Sequence, residues 1–340
     1  STSLPVSFPS FAVVPDKEIE TIRTVDFVSY RGIGKDDEVS TTKRIVKANA
    51  WDGQGLISPD LAKRWSEELE LDYTFSCAVI RAPFVKGLVA TFDFEKFANL
   101  IAKKYTFTDI YGNEQDIRNI DLIISESMFK LYSSYPNAKV YVEKCFENKL
   151  GFSVTKVNPK RENTYSRTSY QFLQILDLND ADISDLCKPT VDWFRDIQGE
   201  SADNMLLYAL GETNFDIGSF SKMDLSVKAV AINKKLARDR YIHNRFNSTI
   251  DKKKNESYMG SILINANYQF MVSDPYYQAC HIFGLDCEPL LKENEHYSDY
   301  WLNLGINKVG AIRSPIVHHS EFNILNFKDT DETRFWYQHI

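Results

Sequence analysis

Strand-forming and helix-forming segments are segregated along this chain of 340 residues. Short runs rich in β-branched and aromatic residues predict strands in the first part, for example at 74–82 ("TFSCAVIRA") and 86–94 ("KGLVATFDF"). Apolar residues at helical spacing dominate 151–255, and strand-forming sequence returns over 256–340. The sequence contains no repeat of fixed period, which argues against a solenoid. Two β-rich portions on either side of a helical portion therefore indicate an α+β fold.

Turn-forming residues are concentrated at 51–60, "WDGQGLISPD", directly before an amphipathic segment. Ser58 is a candidate N-cap and Pro59 fits the first helical turn, so we expect a helix to begin there. An aspartate in a Gly-rich turn usually bonds its own backbone, which favours a structural role for Asp52 over a direct catalytic one. The residues predicted to shape this turn are Asp52, Gly53, Gly55 and Pro59.

Patterns elsewhere predict the local structure of several further segments. Residues 32–35 contain two glycines and a lysine but not the phosphate-binding motif G-x-x-x-x-G-K-[ST], so a hairpin or loop is favoured there. A buried strand running into a helical turn is expected at 120–135. Helices are expected at 94–105, 166–197, 201–210 and 226–246, a linker or exposed loop at 251–257, and β structure at 259–284, 308–327 and 334–340.

Composition argues against several classes of protein. The net charge of -7 and the pI of about 5.5 count against a general nucleic-acid binder, although a basic cleft can focus its field on an acidic surface. The five cysteines form no C-x-x-C pair, and an odd number argues against a disulfide framework, which fits a cytoplasmic location. No Cys/His cluster has zinc-ligand spacing, and no apolar run approaches the ~18 residues of a membrane span. The first residues also lack the pattern of a signal peptide.

Arg81 and Lys86 are the first candidate binding residues. They lie five apart, and in a regular strand this odd spacing would place them on opposite faces. Pro83 lies between them and cannot donate a ladder hydrogen bond, so we expect a broken strand that can turn both cations to one side. Two cations beside Gly87 suit a phosphate group, which Arg binds with two hydrogen bonds and Lys as a point charge. The alternative is that Arg81 pairs with a nearby carboxylate and Lys86 lies in solvent.

A lysine and an arginine further along the chain are also candidates. Lys130 follows the apolar run at 120–129, and a lysine at the end of a buried strand often faces a cleft. The alternative is a surface lysine whose aliphatic stem covers apolar residues. Arg313 lies in "GAIRSP". Taken singly, none of the four cations is specific for one chemistry.

Four segments, in this order along the chain, resemble conserved blocks of one enzyme superfamily. "DGQGLISPDLA" and "IRAPFVKGLV" resemble its first block, "IISESMFK" resembles a block that ends in a lysine, and "AIRSPIVHHSEFNILNF" resembles a later Arg-x-Pro block. The superfamily is that of the two-barrel RNA polymerases. It includes the cell-encoded RNA-dependent RNA polymerases of RNA silencing and the related phage-encoded single-chain RNA polymerases. The resemblance covers residues 45–135 and 255–340.

The resemblance implies a division of the chain. Members of the superfamily place the active site between two double-psi β-barrels. We therefore expect a first barrel with inserted helices over 45–150, preceded by a β/loop segment at 1–44. A helical connector is expected over 151–255, and the truncated start of a second barrel lobe over 256–340.

The resemblance also implies roles for the four cations. Arg81, Lys86 and Lys130 would be the catalytic cations of the first barrel, and Arg313 would bind substrate phosphate. The implied reaction is nucleotidyl transfer from an NTP to an RNA 3′-hydroxyl, in which cations neutralise charge on the triphosphate. The implied partners are a nucleic-acid template, the RNA product, NTPs and the C-terminal remainder of the polymerase, with no membrane. The implied location is the cytoplasm of a bacterial or phage-infected cell.

One departure from the superfamily pattern concerns the metal. Members carry an Asp-x-Asp-Gly-Asp loop that binds divalent cations, and this sequence has no such loop. The acidic runs at 179–185 and 328–333 do not match it. We therefore expect Mg²⁺ to be a cofactor of the full-length enzyme, with its ligands outside this chain. Together with the missing initiator Met, this predicts a truncated, proteolysed or split-gene fragment that is inactive alone.

Two other interpretations stay open at the level of the sequence. The chain could be a catalytically inactive double-psi barrel module that binds nucleic acid or a protein. It could also be an unrelated α+β protein whose four matches are coincidental. The blocks do not distinguish an RNA template from a DNA template.

Overall fold

The structure, a computed structural model, describes residues 3–160, 164–197, 224–313 and 321–340, together with residues 203, 204, 206 and 316. The chain divides into two compact units. The first unit combines 1–160, 270–307 and 326–340, and the second combines 161–269 and 308–325. Each unit is therefore assembled from segments that are distant in the sequence.

The described strands are numbered in chain order. They are β1 (Leu4–Val6), β2 (Phe11–Val14), β3 (Glu18–Ser29), β4 (Glu38–Asn49), β5 (Gln54–Ile57), β6 (Cys77–Ala82), β7 (Val85–Thr91), β8 (Thr106–Thr108), β9 (Glu114–Asp116), β10 (Leu122–Ser125), β11 (Phe152–Val157), β12 (Tyr165–Arg167), β13 (Leu263–Asn265), β14 (Glu295–His296), β15 (Lys308–Ile312) and β16 (Phe322–Phe327).

The described α-helices are numbered in the same way. They are α1 (Pro59–Glu68), α2 (Phe94–Phe97), α3 (Ala138–Glu147), α4 (Tyr170–Gln174), α5 (Asp180–Ile197), α6 (Leu225–Ile232), α7 (Arg240–Tyr258), α8 (Pro275–Ile282), α9 (Asp299–Asn303) and α10 (Asp331–Trp336). Within the described ranges, no helix combines the length and the apolar character needed to cross a membrane.

The first unit is built on a mixed sheet of seven described strands. Their order across the sheet is β1-β11-β6-β7-β5-β10-β2. The β2–β10 and β5–β7 pairs are parallel, and the other pairs are antiparallel. Within the described residues no ladder joins β1 to β2, so the sheet is not hydrogen-bonded into a closed barrel. The α+β class predicted from the sequence is confirmed, whereas the double-psi barrel stays a prediction.

Both faces of this sheet carry apolar cores. On one face, Ile57 of β5 and Val89 of β7 pack with Trp65 of α1 and Tyr141 of α3, all at 0% exposure. On the other face, the cluster includes β2, β5 and β10 side chains, α2, α8 and the end of α10. An aromatic side chain deleted from such a core costs about 3–5 kcal/mol. The sheet that carries the candidate binding residues is therefore a rigid support.

Strands β3 and β4 form a separate two-stranded hairpin. Each strand has 12 residues, and their register runs from Glu18 opposite Asn49 to Ser29 opposite Glu38. Most of their side chains are exposed. The connection contains Gly32 at φ +108°, a backbone conformation that L side chains rarely adopt. Of the hairpin or loop expected around the two glycines, the structure contains the hairpin.

The second unit is mainly helical in its described residues. Its small core contains Ile197 at the end of α5, Val230 of α6, and Phe246 and Ile250 of α7. Strand β12 pairs with β13. The Leu263 N–H of β13 donates a hydrogen bond to the Thr190 hydroxyl of α5 over 2.8 Å, which ties this ladder to the helices.

Several local predictions are confirmed. The helix over 94–105 exists as α2 followed by a π-helical turn at Ala98–Ala102, and the buried strand at 120–135 is β10 followed by a 3₁₀ turn at Glu126–Met128. The prediction for 166–197 is confirmed in part, because the segment contains α4 and α5 but begins with the last two residues of strand β12. The helix at 226–246 is divided between α6, a 3₁₀ turn and α7. The helix expected at 201–210 lies largely outside the described residues.

Three local predictions were wrong or incomplete. The polar segment at 251–257 is the last part of α7 and not a linker, because lysine and glutamate are good helix formers and Lys253 pairs with Glu256 over 2.6 Å. The β-rich prediction for 259–284 missed α8, which begins after the N-cap Asp274. The final segment at 334–340 contains the end of α10, whose N-cap Thr330 and Thr333 form a capping box.

The expected domain boundaries also differ from the two units. The boundary after residue 44 falls inside β4, and β2 lies in the same sheet as β5 and β10. The expected second lobe at 256–340 is shared between both units, because 270–307 and 326–340 pack in the first. Long-range strand pairing and packing set these limits, which a linear scan of composition does not detect.

Candidate functional site

Arg81 and Lys86 lie side by side on one hairpin. Strands β6 and β7 are joined by a two-residue turn, Pro83 and Phe84, and Arg81 is the direct cross-strand partner of Lys86. Direct partners in an antiparallel pair project from the same face, with Cβ atoms about 4.5–5.5 Å apart. Their neighbour Val85 is buried in the core, so both cations project from the opposite face and are exposed.

This geometry corrects the expected reason for their convergence. The strand is not broken by Pro83 in its middle. Pro83 lies in the turn, so Arg81 and Lys86 belong to two different strands, and the odd spacing that would separate them on one strand brings them together across the hairpin.

Lys130 lies beside the same turn. It follows the 3₁₀ turn after β10, and its backbone N–H donates a hydrogen bond to the Phe84 carbonyl over 2.9 Å. A β-bridge between Val85 and Phe129 extends the contact by one residue. The Lys130 side chain is exposed. The three cations predicted for the first barrel are therefore gathered around one hairpin end.

The three cations have no acidic counterpart in the described part of the chain. Neither Arg81, Lys86 nor Lys130 forms an ion pair there, although thirteen other described pairs are present, such as Arg118 with Asp116. This is against the alternative in which Arg81 pairs with a nearby carboxylate. Unneutralised cations held close together produce a local positive potential on a protein whose net charge is -7.

The turn at 51–54, before β5, is hydrogen-bonded to strand β7 of the β6–β7 hairpin. Within this turn the Gln54 N–H donates a hydrogen bond to the Trp51 carbonyl over 3.0 Å, and Gly53 has a φ of +70°. The Gly53 carbonyl accepts a hydrogen bond from Leu88 of β7 over 2.9 Å. The predicted role of Gly53 in the turn agrees with this backbone geometry.

Asp52 does not make the backbone hydrogen bond expected for an aspartate in this turn. Its side chain is exposed, and within the described residues its carboxylate accepts no hydrogen bond. The side chain that bonds the turn is that of Asn49, whose amide oxygen Oδ1 accepts a hydrogen bond from the Trp51 N–H over 3.1 Å. Asn49 ends β4, so its position follows from the β3–β4 ladder rather than from the Gly-rich segment itself.

Gly55 belongs to strand β5 and not to the turn. A Cβ atom there would lie 2.4 Å from the Ile123 carbonyl oxygen of the neighbouring strand β10. Gly87 of β7 is under the same constraint, because its Cβ would lie 2.4 Å from the Gly53 carbonyl oxygen. Both glycines therefore permit close approach of backbones. For Gly55 this differs from the turn role predicted from the sequence.

The helix after the turn begins as predicted. Pro59 is its first residue, and the Ser58 hydroxyl accepts a hydrogen bond from the Leu61 N–H over 3.2 Å. Leu61 and Trp65 are fully buried against the sheet. Pro59 therefore has a structural role at the start of α1.

Gln54 was not singled out from the sequence, although it is central to this region. It is 5% exposed, and its side-chain amide donates to the Ser273 carbonyl over 2.9 Å and to the Gln278 side chain over 3.1 Å. Its side-chain oxygen accepts from the Ser273 N–H over 2.6 Å. These bonds connect β5 to α8 and the residues before it, which lie more than 200 positions later in the sequence.

Asp16 is a second residue that the sequence did not indicate. Its carboxylate accepts hydrogen bonds from the Ser127 N–H over 3.0 Å and the Ser127 hydroxyl over 3.2 Å. Burial raises the pKa of Asp16, and the bonds from Ser127 and Asn49 oppose that shift. The Ser127 hydroxyl in turn accepts from the Gly53 N–H over 2.9 Å, so the carboxylate fixes the turn through one intermediate residue.

The Mg²⁺ expected for the full-length enzyme, with its ligands outside this chain, stays a prediction. The described residues contain no group of three or more Asp, Glu, His or Cys side chains arranged to hold a metal ion. We therefore derive no chemical step through a metal at this site.

Arg313 belongs to the second unit. It follows β15, its side chain is exposed, and its N–H donates to the Glu321 carbonyl over 3.4 Å. Residues 314, 315 and 317–320 of the same block lie outside the described residues. The role expected for Arg313 therefore stays a prediction.

Comparisons with known proteins agree on one kind of relative. No family model matches the chain. The chain is 26% identical over 286 residues to the DNA-directed RNA polymerase YonO of Bacillus phage SPbeta, which covers 81% of this chain and 30% of that protein. Its fold matches the RNA dependent RNA polymerase QDE-1 from Thielavia terrestris with a TM-score of 0.55 and 14% identity, covering 97% of this chain and 32% of that one. The chain thus spans under a third of each relative's length.

Proposed function

We propose that this chain belongs to the RNA polymerase superfamily and is the part of a single-chain polymerase that binds phosphate and RNA. Its similarity in sequence to a phage RNA polymerase and in fold to an RNA dependent RNA polymerase supports the proposal. The observation that carries the proposal is the group of three exposed cations, Arg81, Lys86 and Lys130, without an acidic partner in the described residues. Polyanions are the ligands that such a group favours.

The proposed reaction is nucleotidyl transfer. The RNA 3′-hydroxyl loses its proton and attacks the α-phosphate of an NTP, a new phosphodiester bond forms, and the bond to pyrophosphate breaks. Arg81 and Lys86 would neutralise charge on the triphosphate and on the pyrophosphate that leaves, and Lys130 would bind the RNA backbone or the same triphosphate. Mg²⁺ would serve the whole enzyme, held by carboxylates outside this chain.

In this proposal the mixed sheet of the first unit is the counterpart of the first double-psi barrel. Its support is the pair of parallel contacts, β2–β10 and β5–β7, within an otherwise antiparallel sheet. The second unit would contain the connector, and Arg313 would contribute a phosphate contact from the block that leads into the second barrel.

The proposed partners are those of a polymerase at work. They are a nucleic-acid template, the RNA product, NTPs and the remainder of the polymerase, in the cytoplasm of a bacterial or phage-infected cell. This chain alone is expected not to polymerise, because it lacks the Asp-x-Asp-Gly-Asp loop. Template-dependent primer extension by the isolated chain with Mg²⁺ would contradict that expectation.

The binding function is tested with charge-matched variants of this chain. The site variant carries Arg81→Ala, Lys86→Ala and Lys130→Ala. The control removes three other exposed lysines that form no described ion pair, at positions 63, 104 and 149. Both variants change the net charge equally, so a difference between them reports position and not charge.

Affinity for a short fluorescein-labelled single-stranded RNA is measured by anisotropy over a range of salt concentrations. Each lost phosphate contact reduces the magnitude of the slope of log K against log salt by about 0.7 for a single strand, so the slope of the site variant should be smaller in magnitude by about 2. Equal slopes for the two variants would refute the proposal.

The alternative, an inactive module that binds nucleic acid, predicts the same binding result. It is distinguished by activity in the longer protein. There, Arg81→Ala with Lys86→Ala should abolish RNA synthesis if the cations act on the triphosphate. Unchanged synthesis would show that the cations do not act on the triphosphate, and would leave the group a role in binding at most.

A further inference from the structure

An aromatic residue lies in the turn between Arg81 and Lys86. Phe84 is the second residue of the β6–β7 turn, and its side chain is 54% exposed. Its ring contacts no other aromatic ring or cation in the described part of the chain. The phenyl group therefore contributes little to either apolar core.

The backbone of Phe84 has a conformation that a bulky residue rarely adopts. Its φ is +61°, in the left-handed region. For a residue with a Cβ atom this costs about 1–2 kcal/mol that glycine would not incur. A glycine would close the same turn more easily, so the fold itself gives no reason for a phenyl group at this position.

The turn is fixed from both sides. The buried Tyr141 hydroxyl donates a hydrogen bond to the Pro83 carbonyl over 2.8 Å, and the Lys130 N–H bonds the Phe84 carbonyl. Tyr141 is itself held by Phe129, with ring centroids 4.7 Å apart. Since Pro83 also has a fixed φ, the backbone that presents the phenyl group to solvent has little freedom left to lose on binding.

The surroundings of Phe84 match one kind of ligand. Proteins that bind single strands combine cations that follow the phosphates with aromatic rings on which bases stack. Arg81 and Lys86 precede and follow the turn that holds Phe84, and Lys130 is bonded to its carbonyl. A protein partner would meet three unneutralised cations around a single ring, whereas a nucleic-acid strand complements both features.

We propose that Phe84 is a stacking residue, which binds a base of the single-stranded nucleic acid whose phosphates contact Arg81, Lys86 and Lys130. This inference rests on the proposed binding function of the cationic group and adds to it a contact with the base. Stacking on a ring is tolerant of sequence, so the contact would hold the strand without reading it.

The test compares Phe84→Leu with the unchanged chain. The probes are a fluorescein-labelled single-stranded RNA, a DNA strand of the same sequence, and an abasic strand with the same number of phosphates. Phe84→Leu keeps an apolar side chain but removes the ring. It should weaken binding of the RNA and DNA strands by about tenfold, leave binding of the abasic strand unchanged, and leave the salt slope unchanged.

Two controls separate stacking from folding. Phe335 is another exposed phenylalanine beside a lysine, with its ring centre 3.7 Å from the Lys96 Nζ atom. Phe335→Leu should not affect binding. Phe84→Gly relieves the left-handed strain, so it should unfold at the same temperature as the unchanged chain or higher, and bind as weakly as Phe84→Leu.

The outcomes distinguish the two proposals. If the triple cation variant loses binding but Phe84→Leu does not, the stacking role is overturned and the proposed function stands. If Phe84→Leu weakens the abasic strand as much as the others, the residue acts through the turn and stacking is also overturned. If the triple cation variant binds normally, the proposed function fails and the stacking role fails with it.

Discussion

Replacing Gln54 by leucine should destabilise the first unit, although the two side chains have similar size. The change removes the side-chain amide that meets Ser273 and Gln278, and it leaves the Ser273 N–H and the buried Gln278 oxygen without these partners. Each buried polar group left unpaired costs about 1–3 kcal/mol, so we expect a loss of about 3 kcal/mol in the free energy of unfolding. Leucine fills the space, so no cavity cost adds to this.

The measurement is urea denaturation followed by near-UV circular dichroism. Gln338→Leu is the matched control, because Gln338 is exposed in the same unit, and a surface change of this kind alters stability by under about 0.5 kcal/mol. The double variant Gln54→Leu with Gln278→Leu should lose less than the sum of the single losses, because each partner already lacks the other. If Gln54→Leu behaves like the control, these hydrogen bonds do not hold β5 to the 273–278 segment.

Three other changes have expected results. Gly87→Ala should lower the free energy of unfolding by about 2–4 kcal/mol, because the new methyl group would lie 2.4 Å from a backbone oxygen. The control Gly151→Ala, with nothing within 4 Å of the new methyl group, should cost little, and similar losses for the two variants would argue against the clash. Tyr141→Phe removes the bond to the Pro83 carbonyl, so thermal denaturation should show a loss of about 1 kcal/mol, and a neutral result would mean that this bond does not hold the turn. Burial lowers the pKa of His281, so the unfolded chain binds a proton at this residue more readily and stability should fall as the pH decreases below about 6.5. Denaturation curves at different pH should show a smaller fall for His281→Gln. An unchanged fall would exclude His281 as its cause.

Local sequence signals predicted the elements whose structure is decided locally. The start of α1 follows from Ser58 and Pro59, and the hairpin around Gly32 follows from its glycines. The end of α7 was missed because a polar helix in the second unit has the same composition as a linker. The start of α8 was missed although Asp274 and Pro275 form a recognisable cap, because the surrounding strand-forming residues outweighed it.

The candidate site shows the same division between local and distant causes. The motif identified Arg81, Lys86 and Lys130 as residues, but their arrangement depends on a hairpin register that no spacing rule supplied. Gln54 could not be assigned, because its partners lie 219 and 224 positions away. The hydrogen bond to the turn backbone that was expected from Asp52 is made by Asn49, because the end of strand β4 brings Asn49 to the turn.

The β3–β4 hairpin should differ from the sheet in the rate of its amide hydrogen exchange. Within the ranges that the structure describes, its twelve-residue strands pair only with each other and bury few side chains, and a two-stranded ladder of this kind is marginally stable in water. Its amide protons should therefore exchange with deuterium through local opening, while those of β5 and β7 exchange only when the whole sheet opens. A single melting temperature accordingly describes the sheet and not the hairpin, whose exposed positions, Asn49 at its end excepted, can vary with little effect on the stability of the sheet.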